Sequence, residues 1–215
     1  MVEQRRRDNQ SDDLVGTLVH ADIDGDRLDE SSLIYETLLI LIGGDETTRH
    51  VLSGGMYELL THPEQFALLA AEPDRRQLGI EEMLRWVSPI KNMARTATRD
   101  VELHGRTIQE GQKLLLLYPS ANRDERNFDD PERFDVTRTP NDHMAFGFGA
   151  HFCLGNQLAR LELKVMVERV LARLPDLHLA VDRASLPRRP ANFISGIEEM
   201  PVEFTPGAPV GAGPV

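Results

Sequence analysis

Cys153 is the chain's one cysteine, and it lies in the run Phe146-Gly147-Phe148-Gly149-Ala150-His151-Phe152-Cys153-Leu154-Gly155. A disulfide needs two cysteines and a cysteine-only zinc or iron–sulfur site needs several, so within one chain Cys153 builds neither. Gly147, Gly149 and Gly155 permit positive φ and close backbone approach, so the loop can wrap around a sulfur. Phe146, Phe148 and Phe152 are placed to keep that sulfur dry. Leu154, Leu158, Leu161, Leu163, Val165 and Val170 then read as a helix, with Cys153 just ahead of its N-terminus. Amide groups and the helix dipole at such an end favour a thiolate. A lone thiolate in an apolar, amide-rich loop is what the axial site of a haem-thiolate iron requires. The alternative is an ordinary buried core cysteine, which is commoner for isolated cysteines in general.

Two further groupings could do chemistry. Gly43-Gly44-Asp45-Glu46-Thr47-Thr48 sits inside a long helical pattern, where each glycine costs about 1 kcal/mol relative to alanine. Small residues there let a planar ligand lie against the backbone, with an acid beside a hydroxyl ready to deliver protons. A helix–helix crossing with solvated acids is the plainer reading of the same residues. Glu82-Met83-Leu84-Arg85 puts an acid and a base at i,i+3, on one helix face.

The elements that must hold these residues are mostly helical. A short apolar stretch at Leu14, Val15, Leu18 and Val19 precedes an Asp/Gly-rich loop at Asp22–Asp26, which lacks the later acid of a calcium loop and reads as solvated. One helical pattern runs over 29–61, on the order of 50 Å long. Others cover 63–71 and 77–87, the last ending before Ser88-Pro89. Strands are expected at 93–98, 101–103, 106–108 and 113–117, with irregular chain over 119–145. The cysteine helix spans 154–173, and short strands follow near 177–181, 192–195 and 201–204. By organisation, 1–28 is a polar lead-in with a short helix, 29–205 one body, and 206–215 a disordered Gly/Pro tail.

The spacing Phe146-x-x-Gly149-x-x-x-Cys153-x-Gly155 resembles the haem-binding signature of the cytochromes P-450. The resemblance implies a mainly α fold with small β-sheets, with 29–205 as a haem-thiolate half-domain, the C-terminal half of that family's domain. It implies haem b as cofactor with Cys153 as iron ligand. Phe146, Gly147, Gly149, Gly155, Ala159, Gly43 and Gly44 would lie against the haem, and Arg95 and His151 would take its propionates, with His143 able to assist. Arginine suits that task because its planar fork pairs two carboxylate oxygens at once. The family's Gly-x-acid-Thr motif falls on Glu46 and Thr47 as the catalytic pair, with Asp45 the second choice of acid. Its structural triad falls on Glu82, Arg85 and, from Pro131-Glu132-Arg133-Phe134, Arg133. The implied reaction is monooxygenation, one oxygen atom of O2 entering an unactivated C–H bond, with electrons from a ferredoxin and its reductase.

Two longer stretches, 38–50 and 190–196, are similar to mycobacterial steroid side-chain 26-hydroxylases, which implies an apolar, sterol-like substrate. Ile90, Asn92, Met93, Asn192, Phe193 and Ile194 match segments that line the family's pocket, and most are apolar as a lipid requires.

With 35 acidic against 24 basic residues, the chain repels nucleic acid and anionic membrane surfaces, so neither is an expected partner. It has no apolar run of membrane-spanning length, and a lone cysteine fits a reducing cytoplasm. The family's domain is roughly twice as long as these 215 residues, so a truncated, catalytically incompetent haem-binding fragment is the alternative expectation. A redox-sensing single-cysteine protein is a third, and it leaves Glu82, Arg85 and 43–48 unexplained.

Overall fold

A computed structural model describes residues 2–7 and 13–207. Positions 8–12 of the lead-in and 208–215 of the expected tail lie outside the described residues. By their contacts the residues form two compact units, Met1–Glu46 and Thr47–Val215.

In the first unit, α1 (Val2–Arg7) is followed by α2 (Leu14–His20), whose N-cap Asp13 accepts a hydrogen bond from the Gly16 amide at 2.8 Å. The expected Asp/Gly loop is a tight hairpin of β1 (Asp22–Ile23) and β2 (Asp26–Arg27). Asp24 and Gly25 make the reversal at φ 56° and 90°, and the Asp22 carboxylate accepts from the Gly25 amide at 2.9 Å. Helix α3 (Glu30–Thr61) begins in this unit and ends in the second.

The second unit continues with α4 (Pro63–Ala71), which has proline in its first turn, and α5 (Arg76–Val87), which ends where Ser88 turns to φ 40° ahead of Pro89. Strands β3 (Asn92–Thr96) and β6 (Lys113–Leu117) pair antiparallel from Asn92↔Leu117 to Thr96↔Lys113, and β4 (Val101–Leu103) pairs with β5 (Arg106–Ile108). A short helix α6 (Tyr118–Ala121) opens the irregular stretch, tolerating Pro119 in its first turn. Helix α7 (Asn156–Arg173) starts two residues later than the apolar pattern suggests, and β7 (His178–Leu179) pairs with β8 (Val202–Glu203). The strand expected near 192–195 is reduced to one bridge, Ile90↔Ile194. The bridge is flanked by the Lys91 amide donating to the Phe193 carbonyl at 2.8 Å and the Ser195 amide donating to the Pro89 carbonyl at 3.3 Å.

The core of this unit joins α3, α4, α5 and α7 through Val51, Met56, Leu59, Leu69, Ile80, Met83, Leu163, Val167 and Leu171, closed by Phe134 and Val136 of the irregular stretch. Helix α7 buries the stripe Leu163, Val167, Leu171 and leaves Leu158, Leu161 and Val165 exposed, so it is apolar on two sides, and Leu154 just ahead of it is exposed as well.

Helix packing demands the glycines Gly54, Gly55 and Gly79; a Cβ on Gly79 would stand 2.8 Å from Leu69. A Cβ on Gly55 would stand 2.9 Å from the Met83 Cβ and closer still to the rest of that side chain, and one on Gly54 2.8 Å from Val87. A Cβ on Gly43 or Gly44 would meet nothing within 4 Å. Gly55→Val should therefore lower the urea midpoint by the equivalent of roughly 1–3 kcal/mol or more. Gly44→Ala should be neutral or stabilising by up to about 1 kcal/mol. Equal destabilisation by both would contradict this division of roles.

Candidate active site

The cysteine loop is shaped by its glycines. Gly147 and Gly149 stand at φ 73° and 74°, conformations that residues with a Cβ rarely adopt. Gly147 is also crowded, since a Cβ there would sit 3.4 Å from the Tyr118 hydroxyl. These two turns bring the Cys153 amide back to donate to the Phe146 carbonyl at 2.9 Å. The Cys153 carbonyl accepts from the Asn156 side-chain amide at 2.8 Å and from the Asn156 backbone at 3.3 Å, tying the sulfur-bearing residue to the first turn of α7. The Cys153 residue is half-buried.

Of the three aromatic residues expected to dry the sulfur, only Phe146 packs inward. Phe148 is 80% exposed and Phe152 48%, because the positive-φ turns carry Phe148 to the outside of the loop. Leu154 at 85% and Leu158 at 59% add to the same apolar, uncovered rim.

A network that the sequence did not announce locks this loop to α5. Arg160, on α7, donates through Nε and NH2 to the two oxygens of Glu81 at 2.8 and 3.0 Å, and through NH1 to Asn156 Oδ1 at 3.0 Å. Its guanidinium lies over the Phe146 ring, 4.6 Å from the centroid. His143 Nε2 is 3.0 Å from Glu81 Oε2, the oxygen that Arg160 NH2 also reaches, and its side chain is only 3% exposed. His143 is thus engaged in holding Glu81, away from the assisting role the resemblance allowed it. Burial pushes the Glu81 carboxyl up, but the hydrogen bonds and charges of His143 and Arg160 outweigh it and hold the group at about 2.

A carboxylate with a depressed folded pKa contributes stability that is present above its unfolded value of about 4.3 and is lost as pH falls through its folded value. The Glu81 contribution should therefore fade between about pH 4.3 and 2. Glu81→Gln should lower stability at neutral pH and flatten its decline across that acid window, as read by denaturant titration at each pH. An unchanged slope would remove Glu81 from the account.

The Glu82–Arg85 pair is fully buried. Arg85 donates to both Glu82 oxygens at 2.7 and 2.8 Å and to the carbonyls of Asn122, Pro131 and Arg133 at 2.7, 2.9 and 3.2 Å. The guanidinium that joins this pair belongs to Arg138, 3.2 Å from Glu82 Oε2 and 8% exposed, and not to Arg133, whose residue is exposed. The reason lies in the backbone: the Asp135 amide donates to Glu82 Oε1 at 2.9 Å, and Phe134 and Val136 turn into the core. Arg133 therefore contributes its carbonyl, while the chain delivers the Arg138 side chain. Asn141 Nδ2 completes the Glu82 shell at 3.2 Å. Asn122, fully buried, donates to Ser88 Oγ at 2.7 Å and accepts from the Met144 amide at 2.6 Å, so it couples the end of α5 to the entry of the cysteine loop.

The remaining residues are spread over several elements. On α3, Glu46 and Thr47 are half-buried, whereas Asp45, Gly43 and Gly44 are exposed. On β3, Arg95 is exposed and donates to the Ala94 carbonyl at 2.9 Å; His151, also exposed, lies in a single 3₁₀ turn at Gly149–His151. Gly155 caps α7 and Ala159 lies in its first turn. Ile90, Asn92 and Met93 are brought beside Phe193 and Ile194. The Lys91 amide donates to the Phe193 carbonyl at 2.8 Å and Asn92 Nδ2 to the Asn192 carbonyl at 2.6 Å. Met93 and Phe193 are exposed at 36% and 45%.

A haem suits these donors. One half-exposed sulfur stands in an apolar rim of Phe148, Phe152, Leu154 and Leu158, a cationic arginine and a histidine are exposed, and a Cβ on Gly149 or Gly155 would meet nothing within 4 Å. Among the described residues, no cluster of His, Cys, Asp and Glu is assembled to hold a bare metal ion.

Comparison with known proteins agrees with this geometry. The family model for Cytochrome P450 matches residues 1–175. A Steroid C26-monooxygenase of Mycobacterium tuberculosis H37Rv is 59% identical over 96% of this chain and 52% of its own length, and one from Mycolicibacterium smegmatis is 58% identical over 97% and 52%. A Methyl-branched lipid omega-hydroxylase of Mycobacterium bovis is 41% identical over 95% and 47%. The chain spans about half the length of these relatives. The solved structure of the Bacillus subtilis bacillaene synthase cytochrome P450 PksS superposes with a TM-score of 0.88 at 38% identity, over 95% of this chain and 53% of that one. A testosterone complex of CYP109E1 from Bacillus megaterium gives 0.86 at 34%, over 94% and 56%.

Proposed function

The chain belongs to the cytochrome P450 family, and from that premise we propose that it is the haem-holding part of a monooxygenase that hydroxylates a steroid side chain. The observation that supports the substrate most strongly is 59% identity, across 96% of the chain, to a relative named for steroid C26 oxidation. The loop that presents Cys153 supports the chemistry.

Cys153 Sγ would hold the haem iron, with Phe146, Gly147, Gly149, Gly155 and Ala159 lying against the haem; Gly43 and Gly44, whose added Cβ would meet nothing within 4 Å, keep the haem-contacting role that the family resemblance implies. Arg95 and His151 would bind the propionates. Bound there, haem iron supplies the activation of O2 that lets one oxygen atom enter an unactivated C–H bond, and thiolate ligation favours the O–O cleavage this needs. The Thr47 hydroxyl and the Glu46 carboxyl hold and pass the protons. Ile90, Met93, Phe193 and Ile194 offer the substrate an apolar wall that excludes water, and Asn92, tied to the Asn192 carbonyl, fixes the two segments that carry it. A reduced ferredoxin is the proposed electron donor. No helix among the described residues is long and apolar enough to cross a membrane.

A second reading is favoured by the uncovered stripe Leu154, Leu158, Leu161, Val165: the chain holds haem weakly and is catalytically incompetent unless more protein covers that surface. The two readings separate in one experiment. Cholest-4-en-3-one, ferredoxin, ferredoxin reductase and NAD(P)H are supplied to the haem-loaded chain, alone and joined to the N-terminal half of the Mycobacterium tuberculosis relative. The joined protein should hydroxylate the terminal side-chain carbon, and Thr47→Ala in it should divert reducing equivalents to hydrogen peroxide with haem content unchanged. Ring hydroxylation, or oxidation of methyl-branched fatty acids with the steroid left untouched, would sink the steroid assignment.

A further inference from the structure

A cavity of about 760 Å³ in the second unit lies apart from the residues of the cysteine loop, none of which lines it. Its walls carry three cations, Lys91, Arg123 and Arg188, in a chain whose formal charge is −11. Two carboxylates also line it. Glu132 reaches Arg123 at 3.3 Å with a side chain 72% exposed, and the buried Glu58 has an oxygen 3.7 Å from His62 Nδ1. His50 and Tyr57 complete the titratable lining.

The three cations are held in place by their surroundings. Lys91 Nζ donates to the Val87 and Ser88 carbonyls at 2.9 Å each, which leaves the third of its three donors uncommitted. Arg123 stacks 4.6 Å over Trp86 and donates to the Trp86 carbonyl at 3.2 Å. Arg188 stacks 5.4 Å over Tyr57, whose hydroxyl accepts from Arg183 at 2.6 Å. Among the described residues, no carboxylate lies within ion-pair distance of Arg188. A stacked guanidinium keeps its N–H edges for planar, multi-oxygen acceptors and loses little freedom on binding.

We propose that this cavity binds a small multivalent oxyanion, of the phosphate or polycarboxylate type, between Lys91, Arg123 and Arg188. Burial pushes the Lys91 ammonium down to about 8, and the charges of Arg123 and Arg188 add to it in the same direction.

Trp86 is the chain's single tryptophan and lines the cavity, so its emission reports on Arg123 directly. Inorganic phosphate and citrate are titrated into the chain at constant ionic strength, with chloride as the monovalent control. At least one of the two should change Trp86 emission saturably, and chloride should not; which of them does so tells phosphate from polycarboxylate. Arg188→Ser removes an exposed side chain and should weaken binding about tenfold or more. Glu132→Gln, also at an exposed position, should tighten it by releasing Arg123. A linear response, equal effects of chloride, or Arg188→Ser and Glu132→Gln both binding like the unmutated chain would overturn the proposal. None of these readouts needs haem.

Discussion

Replacing Arg85 by alanine should leave the protein unable to hold its fold. Five hydrogen bonds from one fully buried guanidinium would be lost at once. Glu82, also fully buried, would keep Arg138, Asn141 and the Asp135 amide but lose its bidentate partner; the Asn122 and Pro131 carbonyls would lose their Arg85 donor, while the Arg133 carbonyl would keep Arg138 NH2 at 2.9 Å. Removing one member of a buried pair costs on the order of 3–5 kcal/mol, against a total stability of about 5–15 kcal/mol for a typical domain. Circular dichroism and urea titration should find Arg85→Ala largely unfolded or shifted to a much lower midpoint. Arg138→Ala should cost less than Arg85→Ala but clearly more than Arg133→Ala, because the Arg133 side chain is exposed and only its carbonyl takes part. Surface changes of that kind stay within about 0.5 kcal/mol. If Arg133→Ala proved as damaging as Arg138→Ala, the arrangement described around Glu82 would be wrong.

That substitution pair also marks where sequence reasoning reached its limit. Glu82 and Arg85 are legible because i,i+3 spacing on a helix fixes which side chains are neighbours. The third arginine comes from irregular chain, where no periodicity says which of Arg133 and Arg138 turns inward. The Asp135 amide and the inward pair Phe134 and Val136 decide it, and neither is a pattern in the sequence. The same holds for His143, Glu81 and Arg160, which lie far apart along the chain and meet only because α5 and α7 pack together. Helix α5 and strands β4, β5 and β6 follow their apolar patterns to within a residue. The segment around 192–195 does not, and forms only the single bridge Ile90↔Ile194. Gly43-Gly44 attracts notice as a costly pair in a helix, yet the steric demand falls on Gly54-Gly55, which only the positions of Val87 and Met83 reveal.

Cys153 is legible for the opposite reason. Its partners are local: two positive-φ glycines, the Phe146 carbonyl and the first turn of the next helix lie within ten residues of it, so spacing alone defines the loop. The outward turn of Phe148 and Phe152 is the one part of this loop that spacing did not give. It leaves an apolar rim open in this chain, the surface on which a large planar apolar group would rest. On the proposed function, Cys153 supplies a thiolate to a haem iron.

The second large effect follows from that claim. Cys153→Ser keeps the loop's backbone bonds, which run through the Cys153 amide and carbonyl, and removes only the sulfur. The fold should survive, with an unchanged urea midpoint, while the haem spectrum changes in kind. A serine oxygen is a harder and weaker donor than a thiolate, and the electron density that shifts the carbon monoxide band of thiolate-ligated haem is lost with it. The direct measurement is the reduced, carbon monoxide-bound difference spectrum of the haem-loaded chain beside that of Cys153→Ser. The account predicts the far-shifted band for which the family is named in the unmutated chain, and its disappearance in the variant. An imidazole-type band in the unmutated chain, or a band that Cys153→Ser leaves in place, would contradict it.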